Sequence, residues 1–173
     1  MTPNQITAIR AVIVALLASL AVVPPQTAIA WIAVIASTIA AVLDGVDGWL
    51  ARRTGMMSAF GARFDMEVDA LLILVLAILA WRWDKAGLWI LMSGLLRYLF
   101  VAVGWALPWM QRPLAPTRRG RVICVVQIVA LIVAAAPIIP PRVSGVVAAG
   151  GLLTLAYSFL VDTVRLWRTT NSA

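Results

Sequence analysis

Long apolar runs separated by short polar turns leave this 173-residue chain few folds to choose from. A bilayer core about 30 Å thick needs about 20 apolar residues of helix to cross it. Six such segments are predicted: residues 8–23, closed by Pro24-Pro25; 28–43, with the helix continuing to Arg52; a third following Asp65 and Asp69 to Ala80; 87–110; 122–136, ended by Pro137 and Pro140-Pro141; and 144–164. The chain is 63% hydrophobic and 12% charged, where soluble domains carry about 25% charge. A soluble protein of this size has too little interior to hide that much apolar surface. The expected fold is an all-α membrane protein, six transmembrane helices in one bundle with a short N-terminal interfacial helix at residues 1–10. Residues 1–173 are expected to form a single domain. The tail from Arg165 is expected to fray into solvent.

Charge sets the orientation. With the N-terminus inside, the cytoplasmic side carries Arg10, Arg52, Arg53, Arg63, Arg112, Arg118, Arg119, Arg121, Arg165 and Arg168, against Arg82, Lys85 and Arg142 opposite. This is the positive-inside pattern. The net charge of +7 therefore reads as membrane topology and anionic headgroup contact rather than nucleic-acid binding. Trp81, Trp83, Trp89, Trp105, Trp109 and Trp167 fall near helix ends, as an aromatic belt does. No cleavable signal peptide is evident, so the first apolar run is expected to be retained. The single cysteine, Cys124, lies in an apolar run and reads as a small core residue. The chain has no histidine, so a catalytic base has to be a carboxylate.

Five of the seven acidic residues, Asp44, Asp47, Asp65, Glu67 and Asp69, lie in the 26 positions DGVDGWLARRTGMMSAFGARFDMEVD. Carboxylates beside a bilayer are costly and mark a functional site. Asp44 and Asp47 are three apart and Asp65 and Asp69 four apart, so each pair shares a helical face. Gly48 and Ala51 lie one turn beyond the first pair and leave room beside it. Arg52 follows, with a guanidinium suited to a phosphate. A hairpin at residues 53–58, turning at Gly55, would bring the two pairs together. Four converging carboxylates cannot all stay ionised without compensation. Hard divalent cations with oxygen ligands supply it, and Mg²⁺ characteristically acts with phosphate substrates. Two such ions suit displacement at phosphorus. The alternative is a set of solvated carboxylates paired with Arg52, Arg53 and Arg63.

The residues match D-x2-D-G-x2-A-R-x8-G-x3-D-x3-D at every fixed position: Asp44, Asp47, Gly48, Ala51, Arg52, Gly61, Asp65 and Asp69. This pattern closely resembles the signature of the CDP-alcohol phosphotransferases, membrane enzymes that cleave a CDP-activated alcohol and release CMP. The resemblance implies that Asp44, Asp47 and Asp65 ligate two Mg²⁺ or Mn²⁺ ions. It also implies that Asp69 is the general base and a further metal contact. Gly48 and Ala51 would leave space for the nucleotide, Gly61 would help helices pack around it, and Arg52 would contact its diphosphate or support the site. The opening PNQITAIR resembles the P-N-x-x-T-x-x-R start of many bacterial members, which places Pro3, Asn4, Thr7 and Arg10 near the active site. An interfacial helix with a polar face is the equal alternative. The donor implied is CDP-diacylglycerol and the assembly a homodimer. The location is the bacterial inner membrane, with both termini and the active site cytoplasmic.

The acceptor rests on other residues. Arg97, inside an apolar helix, is read as facing inward to a phosphate. With Arg118, Arg119 and Arg121 in RRGRVICVVQ, it would form an anion pocket resembling that of phosphatidylglycerophosphate synthases, whose basic segment is also followed by a Gln. Glycerol-3-phosphate is the leading acceptor. Met66 and Ala70 depart from the glycerophosphate-type pattern, which has Pro and Lys at those places. Inositol phosphate, serine and other polyols therefore remain alternatives. Outside this chemistry stand a small cation transporter using the acidic cluster and an inactive scaffold on the same fold.

Overall fold

A computed structural model describes residues 3–54, 59–107 and 118–171. Within them the chain forms six α-helices: α1 (Pro3–Ser19), α2 (Thr27–Thr54), α3 (Ala59–Arg82), α4 (Met92–Ala106), α5 (Arg118–Ala135) and α6 (Pro141–Asn171). Short 3-10 turns, Leu20–Val22 and Leu88–Leu91, follow α1 and precede α4. No strand occurs among the described residues. The expected turn at Gly55 and the loop holding Pro108, Trp109, Arg112, Pro113 and Pro116 lie outside the described residues.

Proline punctuates the helices as its chemistry requires. Pro24-Pro25 separates α1 from α2. Pro141 opens α6, where its missing N–H has no helical partner to lose. The preceding Pro140 carbonyl accepts from Val143 and Ser144, both at 3.0 Å. α3 ends differently. Asp84 adopts φ 54°, Asp84 N–H donates to the Trp81 carbonyl and Lys85 N–H to Ala80 at 2.9 Å. This is a Schellman stop with Asp in the left-handed position. Lys85 Nζ then donates to the Ala136 and Ile139 carbonyls, which ties the end of α3 to the α5–α6 turn.

Two boundaries differ from expectation. Residues 3–10 do not form a separate interfacial helix, because α1 runs unbroken from Pro3 to Ser19. Its inner face, Ile6, Thr7, Arg10, Val14 and Leu17, is buried along the whole length, so packing holds the polar start in register with the apolar remainder. Residues 165–171 are also helical rather than frayed, since α6 continues to Asn171. Leu166 is still buried five residues before that end.

Among the described residues, four stretches are long and apolar enough to cross a bilayer: Gln5–Val22, Thr27–Val46, Leu88–Trp105 and Pro141–Trp167. The chain is a multi-pass membrane protein. α3 and α5 begin with charged turns and pack in the interior of the bundle. From Val68 to Ala80, α3 buries Leu72, Leu76, Ala77 and Leu79 completely and packs against α1, α4 and α5. The outer helices point Val12, Leu16, Ile32, Ile35, Val146 and Leu153 away from the bundle, as lipid-facing positions do.

Candidate metal and phosphoryl-transfer site

α1 packs against both α2 and α3. That arrangement places one α1 side chain between the two aspartate pairs. Arg10 is fully buried. Its Nη1 lies 2.8 Å from Asp44 Oδ1 and 2.5 Å from Asp65 Oδ1, and its Nη2 pairs with Asp69 Oδ1. Its Nε donates to the Ala40 carbonyl at 3.1 Å, one helical turn before Asp44. Oxygens of Asp44, Asp65 and Asp69 all lie within 4.8 Å of one another. The carboxylates remain 21%, 36% and 18% exposed respectively, so the cluster is open to solvent on one side while Arg10 closes the other.

The convergence expected of the acidic stretch is therefore present for three of the four aspartates. The backbone of Asp47 lies on α2, one turn past Asp44, but its side chain falls outside the described residues. The same holds for the side chains of Asn4, Ala51, Arg52 and Arg118. Thr7 is buried one turn before Arg10 on the face that meets the cluster. Gly48 and Gly61 are half-buried.

Cys124 has a place beyond the one its composition suggested. It packs against the core, but its Sγ is 3.9 Å from Asp69 Oδ2, so α5 supplies a wall of the site. The signal available in the sequence was its spacing: Cys124, Gln127, Ile128 and Leu131 follow one helical face, and that face turns inward.

Two of the arginines expected at the acceptor, Arg97 and Arg119, are engaged by carboxylates. Arg97 Nη2 lies 2.5 Å from Glu67 Oε1, so Glu67, which sits on a different face of α3 from Asp65 and Asp69, serves to join α3 to α4. Arg119 Nη2 lies 2.6 Å from Asp162 Oδ1 on α6. In both arginines Nε is buried without a hydrogen-bond partner, and Arg121 is exposed.

The donor set suits a hard divalent ion. It offers carboxylate oxygens from two helices, clustered at metal-ligand separation, with one solvent-facing side. The family model described as CDP-alcohol phosphatidyltransferase matches residues 1–161. The chain belongs to the CDP-alcohol phosphatidyltransferase family. No curated protein matches it. Members of the CDP-alcohol phosphatidyltransferase family are transferases of substituted phosphate groups that act in phospholipid synthesis. The chain is therefore an enzyme of that class, and the cation-transporter alternative falls. Asp44, Asp65 and Asp69, which converge in space, all lie within the matched residues.

Proposed function

We propose that this CDP-alcohol phosphatidyltransferase moves a phosphatidyl group from CDP-diacylglycerol to a phosphorylated alcohol, with glycerol-3-phosphate the best fit. The observation that carries the reading is the convergence of Asp44, Asp65 and Asp69 from α2 and α3 on one solvent-open point. Asp44, Asp47 and Asp65 would hold two Mg²⁺ or Mn²⁺ ions, with Asp69 as a further contact. Such ions supply charge stabilisation to the attacking and leaving oxygens of a displacement at phosphorus. Asp69 takes the proton of the acceptor hydroxyl. The hydroxyl oxygen forms a bond to the phosphorus attached to the lipid, the bond from that phosphorus to the CMP oxygen breaks, and CMP leaves with the electron pair. Gly48, Ala51 and Gly61 give the nucleotide room, while Arg52, Asn4 and Thr7 orient it and its diphosphate. The active site and both termini face the cytoplasm of a bacterial inner membrane. Residues 1–173 act as one domain within a homodimer.

Arg119 supports a phosphorylated acceptor. It lies half-buried in the first turn of the site-lining helix α5, paired with Asp162 and with its Nε buried and without a hydrogen-bond partner. Arg97, Arg118 and Arg121 are the other arginines proposed to meet the acceptor phosphate. Replacing Arg119 by Ala is expected to raise KM for glycerol-3-phosphate by about tenfold or more, because a charge-assisted contact to phosphate is lost. The kcat should change less, and an unchanged KM would remove Arg119 from the acceptor site. Serine and free inositol lack the phosphate, and a panel of acceptors scored by lipid chromatography separates these readings.

Purified protein in lipid should release CMP from CDP-diacylglycerol only when Mg²⁺ or Mn²⁺ and acceptor are both present. Chelation should abolish release, and restoring the metal should recover it. Absence of CMP release with every acceptor and both metals would overturn the proposal.

A further inference from the structure

Arg10 occupies the very oxygens a divalent ion would need. Its guanidinium points one nitrogen at Asp44 and Asp65 and another at Asp69, and its side chain is wholly removed from solvent. A buried guanidinium without partners is strongly disfavoured, and removing one member of such a network leaves uncompensated charge. Three carboxylates within 4.8 Å of one another repel in turn. Each half of the cluster thus makes the other tolerable in the absence of metal. Guanidinium has only donors and no lone pair for a metal. It cannot share a coordination sphere as a ligand, and its positive charge opposes an ion placed on the same oxygens.

We infer that Arg10 is an internal counter-ion that holds the aspartate cluster assembled in the metal-free protein and must leave those oxygens when metal binds. This inference rests on the metal reading of the cluster given above. The geometry supplies a pivot for the movement. The Nε–H bond to the Ala40 carbonyl involves none of the carboxylates, so the side chain keeps an anchor on α2 while its Nη groups withdraw. Arg10 is accordingly a positioning residue. It sets how tightly metal binds, because the free energy of loading includes the loss of its ion pairs.

Two consequences run in the same direction. Removing the guanidinium abolishes the competitor for the oxygens, and it leaves the carboxylates of the metal-free state mutually repelling. Both raise the apparent affinity for metal, the second through linkage between binding and stability. A side chain that merely shaped the metal-bound site would act oppositely, since its loss would weaken binding.

The test measures Mn²⁺ binding by the electron paramagnetic resonance of the free ion, on the full chain in lipid nanodiscs without substrate. Melting is recorded with and without metal. Arg10→Gln is expected to lower the Kd for Mn²⁺ by about tenfold or more, to lower the metal-free melting midpoint, and to enlarge the rise that Mn²⁺ produces. Arg10→Lys keeps the charge but not the planar fork, so it should move each quantity the same way by less. It carries the test if Arg10→Gln does not fold. A Kd unchanged or raised in the variants, with wild-type protein binding Mn²⁺, overturns the role of Arg10 and leaves the metal reading intact. Absence of Mn²⁺ binding in wild type and in both variants overturns the metal reading and this inference together.

Discussion

Asp69→Asn is expected to reduce metal-dependent CMP release by about 10²–10⁴-fold, the range associated with losing a positioned general base. The substitution preserves shape, and its amide oxygen still accepts from the Arg10 guanidinium that Asp69 Oδ1 meets now. It removes the negative charge needed to take the hydroxyl proton. The second carboxylate oxygen, which faces Cys124 Sγ at 3.9 Å, is replaced by an amide that can only donate. Folding should therefore survive, as a cooperative melting transition in the metal-free state would show. Asp84→Asn is the matching control. Asp84 is exposed in the turn that ends α3, and Asn tolerates its left-handed backbone well. Activity in that variant should equal wild type. Retention of full activity by Asp69→Asn would remove Asp69 from the chemistry.

Gly94→Leu is expected to destabilise the bundle by about 1–3 kcal/mol or more, the usual range for overpacking a filled core. A Cβ at Gly94 would lie 2.6 Å from Leu74 Cα and from Leu74 Cβ. The obstacle is α3 backbone, which cannot rotate aside as a flexible side chain can. α3 is also pinned on its other faces by α1 and α5. Close helix approach through small residues is how membrane bundles gain packing energy, and a bulky residue here has to push α3 and α4 apart. The Glu67–Arg97 pair joins the same two helices, so it should loosen as well. A lower thermal midpoint in detergent checks the effect. Gly150→Ala provides the contrast, because its added Cβ meets nothing within 4 Å and should leave stability near wild type. Equal melting of the Gly94 variant and wild type would show that α3 and α4 separate at no cost.

The acidic stretch is legible in the residue order because its information is local. Helical spacing alone puts Asp65 and Asp69 on one face, and membrane proximity makes their charge expensive. The apolar runs likewise reveal helices, since a bilayer permits little else. Arg10 is only partly legible. Its place in the PNQITAIR pattern puts it near the site, yet it also counts among the arginines from which the orientation is read. Nothing in residues 1–10 says that the helix continues through them without a break, or that this guanidinium lies between two other helices.

The arginine pairs show the same division. Arg97 and Glu67 are 30 residues apart, and Arg119 and Asp162 are 43 apart. A lone charge in an apolar helix announces that it needs a partner, but its identity depends on which helices pack side by side. By itself, then, the sequence determined the class of fold, the six helices of the described residues, the family and the candidate carboxylates, because periodicity, proline placement and motif spacing act over a few turns of one helix. Only the tertiary structure decided that α1 sits between α2 and α3, that Cys124 walls the site, and that Arg10 pairs with Asp44, Asp65 and Asp69. These depend on contacts between segments far apart in the chain, where burial, and not residue order, selects the partner of each charge.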